Sequence, residues 1–295
     1  MKRKPIIKYP LYFILPAFAI YFVFFLLPSG AGMLFAFTDW NARNITEFNF
    51  IGLDNFREIF TNDGLTLGLY NTLYFAVFTV IFKNVFGLGL ALLVSNNSLL
   101  AKYYSRGVFF LPNFLNMVII GLVSIAILHP TGPLNAFLDF IGLGGLTRDW
   151  LNDIGISMTV VSSVEVWRTA GFHMMIYLAA IKSIPLELYE AAIVDGASYL
   201  KRLRHITLPM ITQGILINLI FSIINGLRVF DQIFILTNGG PGNATQVVNT
   251  TIFRMFGRGQ WGLGTAYNLV LTVFILIICA IVMGVFKKKG DGYAD

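Results

Sequence analysis

Long apolar runs alternate with short polar intervals along the whole chain. A helix needs ~20 mostly apolar residues to cross the hydrocarbon layer of a membrane, and open loops cannot face lipid there. Six runs meet this length, so the pattern predicts an all-α polytopic membrane protein with six transmembrane helices. No polar interval is long enough for a soluble domain, which predicts one membrane domain over residues 1–295. The predicted spans are residues 11–37, 69–94, 107–128, 158–181, 210–236 and 262–286.

Lysine and arginine residues are concentrated in alternate intervals. Cytoplasmic loops carry an excess of these residues, so their distribution predicts the orientation. Of the 21 basic residues, 13 lie on the side with both termini and the interval 182–209, 5 lie on the other side, and 3 lie inside spans. We therefore expect cytoplasmic N- and C-termini. The 13 are Lys2, Arg3, Lys4, Lys8, Lys102, Arg106, Lys182, Lys201, Arg202, Arg204, Lys287, Lys288 and Lys289.

The composition agrees with a membrane protein and excludes several classes. Of the 295 residues, 56% are hydrophobic and 12% are charged, whereas about a quarter of a soluble domain is charged. The net charge of +6 follows the predicted orientation, so we expect no nucleic-acid partner. Cys279 is the only cysteine, which excludes an intramolecular disulfide. The three histidines show no ligand spacing, and we expect no metal site.

Polar side chains recur on one face of two predicted spans. At 100° per residue they fall within narrow stripes, and amides or hydroxyls facing lipid would be costly. The stripes should therefore face other helices or a water-filled path, where amides suit the hydroxyls of a neutral sugar. Hydrogen bonding between helices is the alternative reading. Six residues are assigned to the path: Asn218, Ser222, Asn225 and Gln232 in the fifth span and Asn113 and Asn116 in the third. Ser124 shares the stripe of the third span.

Charged residues also occur inside the spans. Glu165 and Arg168 are three residues apart, as are Arg228 and Asp231, and opposite charges at this spacing can pair on one helix face. Structural neutralisation is the expected role. Lys83 has no local partner, so it meets a carboxylate or carbonyl of another helix or extends toward the cytoplasmic interface.

The polar interval from Glu190 to Pro209 has the pattern of a docking surface. Leu186–Val194 is compatible with a helix, and Gly196 favours the left-handed conformation that ends one. A second helical piece is predicted over 200–208. Ala191, Ala192 and Ala197 would form a face of small residues that another protein can approach closely.

This interval resembles the EAA loop of bacterial ABC importer permeases. The family pattern is E-A-A, three residues, G, nine residues, I, one residue and L-P. Glu190-Ala191-Ala192, Gly196, Ile206 and Leu208-Pro209 match it. Two further segments are similar to outer loops of sugar-importer permeases in the same order along the chain. They are residues 50–60 (FIGLDNFREIF) and 237–245 (TNGGPGNAT).

The resemblance implies the transmembrane domain of a type I importer of the carbohydrate, maltose-type family, in the bacterial cytoplasmic membrane. Its expected partners are a second homologous permease, two ABC ATPases and an extracytoplasmic sugar-binding protein, and the expected cargo is an oligosaccharide. ATP and Mg²⁺ would be bound by the ATPases, and this chain would hold no cofactor and no catalytic site. The resemblance assigns ATPase coupling to Glu190, Ala191, Ala192, Asp195, Gly196, Ile206, Leu208 and Pro209.

Individual roles follow from the same resemblance. Glu190 would make a polar contact with the ATPase, the alanines would allow close approach, and Gly196 would form the turn. Leu208-Pro209 would join the loop to the fifth span. The chain has no G-x-x-x-x-G-K-[ST] phosphate loop, so it is not expected to hydrolyse ATP alone.

Two other classes compete with this interpretation. An ion-coupled secondary transporter often shows inverted repeats and paired broken helices, and the sequence has no internal repeat. An intramembrane enzyme would need an acid pair, a metal-ligand set or a nucleophile with its base inside the spans, and none is visible. Association with an ATPase is the property that discriminates the three.

Overall fold

The computed structural model describes residues 11–43, 45–95 and 102–291, and apart from one isolated bridge between Thr38 and Phe50 the regular structure in these ranges is helical. Four of the basic residues that predict the orientation, Lys2, Arg3, Lys4 and Lys8, lie outside the described residues. The helices in chain order are α1 Leu15–Tyr21, α2 Leu27–Phe35, α3 Asp54–Thr61, α4 Asp63–Ser95, α5 Lys102–Phe114, α6 Met117–Leu128, α7 Pro133–Phe140, α8 Ser157–Lys182, α9 Leu186–Val194, α10 Tyr199–Arg202, α11 Leu208–Met210, α12 Thr212–Leu227, α13 Asp231–Leu236, α14 Val248–Gly257 and α15 Trp261–Asp291.

Four helical stretches are long and apolar enough to cross a membrane, by length and composition. They are Tyr12–Phe35, Asp63–Ser95, Met117–Phe140 and Trp261–Phe286. A fifth candidate is the pair Tyr199–Met210 and Thr212–Leu227, which is bent by 69°. Helix α8 is 26 residues long but carries Glu165 and Arg168 in its middle. The chain is therefore a multi-pass, all-α membrane protein, while the count of six spans and the orientation remain predictions.

Two predicted spans are broken where the sequence pattern suggested continuous helices. The run 107–128 contains the end of α5 and all of α6, with Leu115 and Asn116 between them. Pro112 lies inside α5 and has no N–H to donate to the helix ladder, which explains a break nearby. The run 210–236 is interrupted at residues 228–230, between α12 and α13. The length of an apolar run does not reveal such breaks, because each run stays long enough for a span in spite of the polar residues within it.

The described residues form two compact units, of which one contains residues 11–61 without 44, and 252–270. Its first helices, α1 and α2, bury no residue. Within this unit the side chain of Asn55 donates to the carbonyls of Ala36 and Thr38, each at 2.9 Å, and so connects α3 to the segment that follows α2. The rings of Trp40 and Trp261 lie 4.8 Å apart. The predicted outer segment 50–60 is thus a short loop followed by α3.

The other unit contains residues 62–251, without 96–101, and the remainder of α15. Helices α4, α8 and α12 pack together in it, and α5 lies against α8. Gly171 permits the approach of α5, because a Cβ at this position would overlap the carbonyl oxygen of Phe109. Small residues at helix crossings are the usual way for membrane helices to approach closely. The predicted single domain over residues 1–295 stays a prediction.

The loop 237–245 is a compact turn, as its Gly-Gly-Pro-Gly core predicted. Positive φ angles occur at Asn238, Gly239, Gly242 and Asn243, and the Gly240–Pro241 bond is cis. The hydroxyls of Thr237 and Thr245 lie 2.6 Å apart and close the loop. The side chain of Asn71 in α4 donates to the carbonyls of residues 243 and 246, which holds the turn on the helix bundle.

Candidate functional site

A buried ionic cluster lies where α4, α8 and α13 meet. Lys83 Nζ is 2.8 Å from Glu165 Oε1, and the two side chains are 1% and 5% exposed. Arg168 contacts Glu165 Oε2 through Nε and Nη2, both at 2.9 Å. The amide of Gln232 donates to the same oxygen. One carboxylate therefore accepts from three donors, which is the condition under which a buried charge is tolerated.

Three predictions about charged residues can now be compared with the structure. The pairing of Glu165 with Arg168 within one helix is confirmed. Lys83 meets a carboxylate of another helix, which was one of its two predicted alternatives. The predicted pairing of Arg228 with Asp231 is wrong: both residues are described by the structure, and no ion pair joins them. The helix ends at residue 227 and restarts at 231, so the two side chains do not share a helix face.

A polar cavity of about 330 Å³ opens beside the cluster. It brings together three of the six residues predicted for the cargo path, Asn113, Asn225 and Gln232, although they lie on three different helices. Phe172 and Phe221 form an aromatic wall, with ring centroids 5.7 Å apart. The full lining is Lys83, Asn113, Glu165, Arg168, Thr169, Phe172, His173, Phe221, Asn225, Arg228, Val229, Phe230, Asp231 and Gln232.

The other three predicted path residues have different surroundings. Asn218 is fully buried, with its Oδ1 2.8 Å from His173 Nδ1. Ser222 is also fully buried and accepts a hydrogen bond from Asn84 at 3.0 Å. These contacts match the alternative reading, hydrogen bonding between helices. Asn116 caps α6 by accepting from the backbone N–H of residue 118 at 2.8 Å, which explains why it does not line the cavity.

Residues missed by sequence analysis complete this interhelical network. Tyr177 donates to Asn84 Oδ1 at 2.6 Å, so Asn84 links α8 to α12 through Ser222. His173 is 2% exposed and lies in the cavity wall. An asparagine directly after Lys83 in an apolar run was a usable signal. Its partners could not be found from the sequence, because they lie on helices more than 80 positions away.

Two larger cavities lie elsewhere in the same unit. One of about 730 Å³ lies between α4, α5 and α8 and is lined mostly by apolar side chains, among them Phe78, Phe82 and Phe109. The other, of about 530 Å³, contains Trp150 and Trp167. A mostly apolar wall cannot satisfy the hydrogen bonds of a polyhydroxylated ligand. The smaller polar cavity is therefore the better candidate for a cargo path.

The interval Glu190–Pro209 forms the predicted helix, glycine turn and second helical piece. Helix α9 ends as a Schellman motif: the N–H of Ala197 donates to the carbonyl of Ala192 at 2.8 Å, and that of Gly196 to Ile193 at 3.0 Å. Gly196 has a φ of +70°, so its predicted left-handed conformation is confirmed. The open space around it shows that backbone conformation, not crowding, requires glycine there.

One side of this loop is attached to the helix bundle. Tyr189 and Thr207 are joined by their hydroxyls at 2.9 Å. Tyr189, Ile206 and Leu208 pack against a buried apolar cluster that contains Tyr177 and Ile211. Two of the predicted coupling residues, Ile206 and Leu208, therefore lie on the inner side of the loop, and Pro209 is half-buried beside them.

The other side of the loop is exposed. Glu190, Ala191, Asp195 and Gly196 are exposed, and Ala192 is half-buried. Large apolar side chains accompany them: Ile193 is 57% exposed, Val194 87% and Leu200 70%. Exposed apolar side chains grouped in this way mark a surface that contacts another molecule.

The comparisons with known proteins agree with these features. The family described as binding-protein-dependent transport system inner membrane component matches residues 83–288, which include both the cluster and the loop. The chain belongs to this family. Its members are membrane subunits of ABC importers, so the predicted resemblance is confirmed. Nothing in these comparisons supports an ion-coupled transporter.

Individual members of the family match along nearly the whole chain. The probable ABC transporter permease YurN of Bacillus subtilis is 33% identical over 94% of this chain and 96% of its own length. The diacetylchitobiose uptake permease NgcF of Streptomyces coelicolor is 31% identical, covering 94% and 82%. A permease chain in the crystal structure of a bacterial importer of the acidic polysaccharide alginate has a TM-score of 0.80 and 28% identity, covering 94% and 95%.

Proposed function

We propose that this permease carries a sugar, most simply an oligosaccharide, from an extracytoplasmic binding protein across the bacterial cytoplasmic membrane by alternating access. The observation that carries the proposal is the loop Glu190–Pro209, which is exposed on one side and packed into the helix bundle on the other. Such a loop can receive motion from a partner and pass it to the helices. Because the loop has the EAA pattern of ABC importer permeases, we infer that this partner is an ABC ATPase.

The coupling residues act through the two sides of the loop. Ile193 and Val194 would enter a groove of the ATPase, with Glu190 and Asp195 as polar contacts at its edge and the small residues Ala191 and Ala192 allowing close approach. Gly196 keeps α9 at a fixed angle. Ile206 and Leu208 then transmit the displacement to α12, because they pack against the cluster that contains Ile211, and Pro209 joins the loop to the following helix.

ATP and Mg²⁺ belong to the partner subunits in this proposal. The chain has no phosphate-binding loop of the G-x-x-x-x-G-K-[ST] type, and hydrolysis would take place in two ATPases attached to this permease and to a second, homologous one. This chain would supply the translocation path and hold no cofactor and no catalytic site of its own.

A sugar cargo is supported by the named relatives and by the cavity. Relatives transport diacetylchitobiose in Streptomyces coelicolor and trehalose or maltose in Thermococcus litoralis, as their names state. A related structure is a complex of an alginate transporter with a periplasmic protein that holds an alginate pentasaccharide. In this chain Asn113 and Asn225 offer amides to the cavity, and such groups both donate to and accept from hydroxyls.

Cysteine crosslinking tests the proposed coupling. With Cys279→Ala as background, Ile193→Cys should crosslink to a cysteine in the groove of the co-expressed ATPase, and ATP should change the yield. Ile154→Cys is the matched control, because Ile154 is 68% exposed but lies in the interval 129–157, predicted to be extracytoplasmic. A crosslink from Ile154 but none from Ile193 would refute the coupling role. An ion-coupled transporter would need no ATPase at all.

Reporter fusions test the orientation. A reporter that is active only outside the cytoplasm should stay silent after Lys289 and become active near Asn243, because 13 basic residues lie on the predicted cytoplasmic side and 5 on the other. The reverse pattern would place Glu190–Pro209 outside the cytoplasm, where no ATPase could reach it.

A further inference from the structure

The polar cavity is lined by more positively charged than negatively charged side chains. Lys83, Arg168 and Arg228 are cationic, whereas Glu165 and Asp231 are the carboxylates in the lining. Lys83 and Arg168 share the single carboxylate of Glu165, so that cluster alone keeps one positive charge. A buried or half-buried charge without a counter-charge is costly where water is scarce. The cavity therefore favours the entry of a negative charge.

Arg168 has hydrogen-bonding capacity left for a ligand. Its Nε and Nη2 are both directed at Glu165 Oε2, and Nη1 makes no hydrogen bond within the part of the chain that the structure describes. The side chain is 19% exposed and lies in the cavity wall. Contact through one edge fixes the plane of the guanidinium, and a fixed guanidinium binds a carboxylate with little loss of conformational freedom.

A second cationic group lines the same cavity. Arg228 follows the last residue of α12, is exposed, and forms no ion pair with any described residue. The amides of Asn113 and Asn225 line the cavity between the helices and are free to donate. Asp231 is exposed too, and as a hydrogen-bond acceptor it suits the hydroxyls of a sugar ring rather than its acidic group.

We propose that this cavity recognises a carboxylate of an acidic sugar, such as a uronic acid unit, through Arg168 and Arg228, and that Glu165 is the positioning residue of Arg168. The proposal rests on the proposed function, since it names the cargo class of the same path. It departs from the expectation of a neutral sugar, which followed from amides alone. The added observation is the excess of guanidinium groups, which the sequence could not place at one cavity.

The charge of the cavity can be measured without knowing the cargo. Asn225→Cys in a Cys279→Ala background places one thiol in the cavity of the transporter assembled with its second permease and ATPases. The rate at which this thiol reacts is measured with an anionic reagent, sulfonatoethyl methanethiosulfonate, and with a cationic one, trimethylammonioethyl methanethiosulfonate. Each rate is divided by the rate of the same reagent with free 2-mercaptoethanol. The anionic reagent should be favoured about tenfold, as expected for one unit charge nearby at an intermediate dielectric constant. D-glucuronate should then slow the modification more than D-glucose does.

Three substitutions assign the effect to residues. Arg168→Gln should remove most of the preference for the anionic reagent and for glucuronate, whereas Arg168→Lys should keep the charge preference and weaken protection by glucuronate, because the planar fork is lost. Arg148→Gln is the matched control: Arg148 lies 3.9 Å from Asp153, outside the cavity, and its loss should change neither ratio. If the Arg168→Gln variant does not assemble, Arg228→Gln removes one positive charge from the same cavity. Arg228 forms no ion pair with a described residue, so its loss should not disturb assembly.

The outcomes separate the two proposals. No preference for the anionic reagent, equal protection by glucuronate and glucose, or a preference that persists in both Arg168→Gln and Arg228→Gln would overturn the acidic-sugar inference while leaving ATPase coupling intact. Failure of the Ile193→Cys crosslink would instead refute the proposed function. Loss of the preference in the arginine variants, in a transporter that still binds its ATPases, supports both.

Discussion

The ionic cluster around Glu165 and the loop Glu190–Pro209 differ in the surroundings of their side chains: those of the cluster are buried and paired, and those on the outer side of the loop are exposed. In the cluster Lys83 and Arg168 both contact the carboxylate of Glu165 inside the chain, and Lys83 and Glu165 are almost completely buried. In the loop the large apolar side chains of Ile193 and Val194 remain 57% and 87% exposed. The ion pairs of the cluster form within the subunit, whereas the exposed side chains of the loop would be buried only by the partner that we propose.

This difference separates two kinds of effect in mutants. Changes in the cluster should first lower the stability of the subunit, because they uncover buried charge. Changes on the outer side of the loop should leave the fold intact and remove communication with a partner. The following predictions use matched pairs of variants to test this separation, from the largest expected effect to the smallest.

Lys83→Met should have the largest effect. Removing one partner of a buried ion pair typically costs ~3–5 kcal/mol, because the other charge is left without compensation. The control is Arg148→Met, which removes a pair whose side chains are 41% and 40% exposed, where the cost should be at most ~1 kcal/mol. Thermal unfolding of the purified complex in detergent measures both. Equal unfolding midpoints would show that the cluster does not hold α4 and α8 together.

Gly196→Val should abolish coupling at a smaller cost in stability. A β-branched residue with φ near +70° is strained by ~1–3 kcal/mol, and α9 should leave its position. Gly142→Val is matched, because Gly142 has a φ of +79°, also has open space around it, and lies outside the loop. Both variants should insert and unfold similarly, but only Gly196→Val should lose sugar-stimulated ATP hydrolysis. Equal hydrolysis in the two variants would contradict the role of the turn.

Asn218→Ala and Asn225→Ala should differ in kind. Asn218 is fully buried and bonded to His173, so its loss leaves a buried group unsatisfied and costs ~1–3 kcal/mol of stability. Asn225 is exposed to the cavity, so its loss should leave stability unchanged and reduce uptake by roughly one hydrogen bond, ~1 kcal/mol or about fivefold. Unfolding and initial uptake rates are measured on both. An unfolding shift in Asn225→Ala would identify it as a packing residue.

Tyr189→Phe should have the smallest effect, because it removes only the hydroxyl that bonds Thr207. A neutral hydrogen bond contributes ~0.5–1.5 kcal/mol, and the ring keeps its place against the apolar cluster. We expect ATPase binding to persist with a modest fall in coupled uptake. Tyr199→Phe serves as the control, since Tyr199 is 59% exposed and its change should have no effect. A complete loss of uptake in Tyr189→Phe would mean that this bond alone joins loop and bundle.

Much of the fold was predictable because membranes impose a length on apolar runs. Helix α9 ends at Val194 as predicted, since the glycine that stops it is a local signal. The break after Phe114 has a local signal in Pro112 that the apolar-run pattern passed over, and the break after Leu227 was not predicted. The same breaks bring Asn113, Asn225 and Gln232 together and exclude Asn116. Of the six path residues predicted from stripes on continuous helices, therefore, only half line the cavity.

The pairing of charges shows the same limit at the level of single contacts. Glu165 and Arg168 are near in sequence and were paired correctly, whereas Lys83 lies 82 positions from its partner. The sequence showed a lysine in an apolar run and left two alternatives for it. Only the packing of α4 on α8 distinguishes them, and that packing depends on many residues at once.

The bend at Ile211 allows a small rotation there to produce a larger displacement at the far end of α12. The helical segment 199–210 and α12 meet there at 69°, with Ile211 fully buried as the fulcrum. With 16 residues, α12 is ~24 Å long, so a tilt of ~10° about Ile211 would carry Leu227 through ~4 Å. A displacement of that size is comparable to the width of a hydrogen-bonded contact. In the proposed coupling, a small displacement of residues 199–210 would therefore change the shape of the cavity near the end of α12.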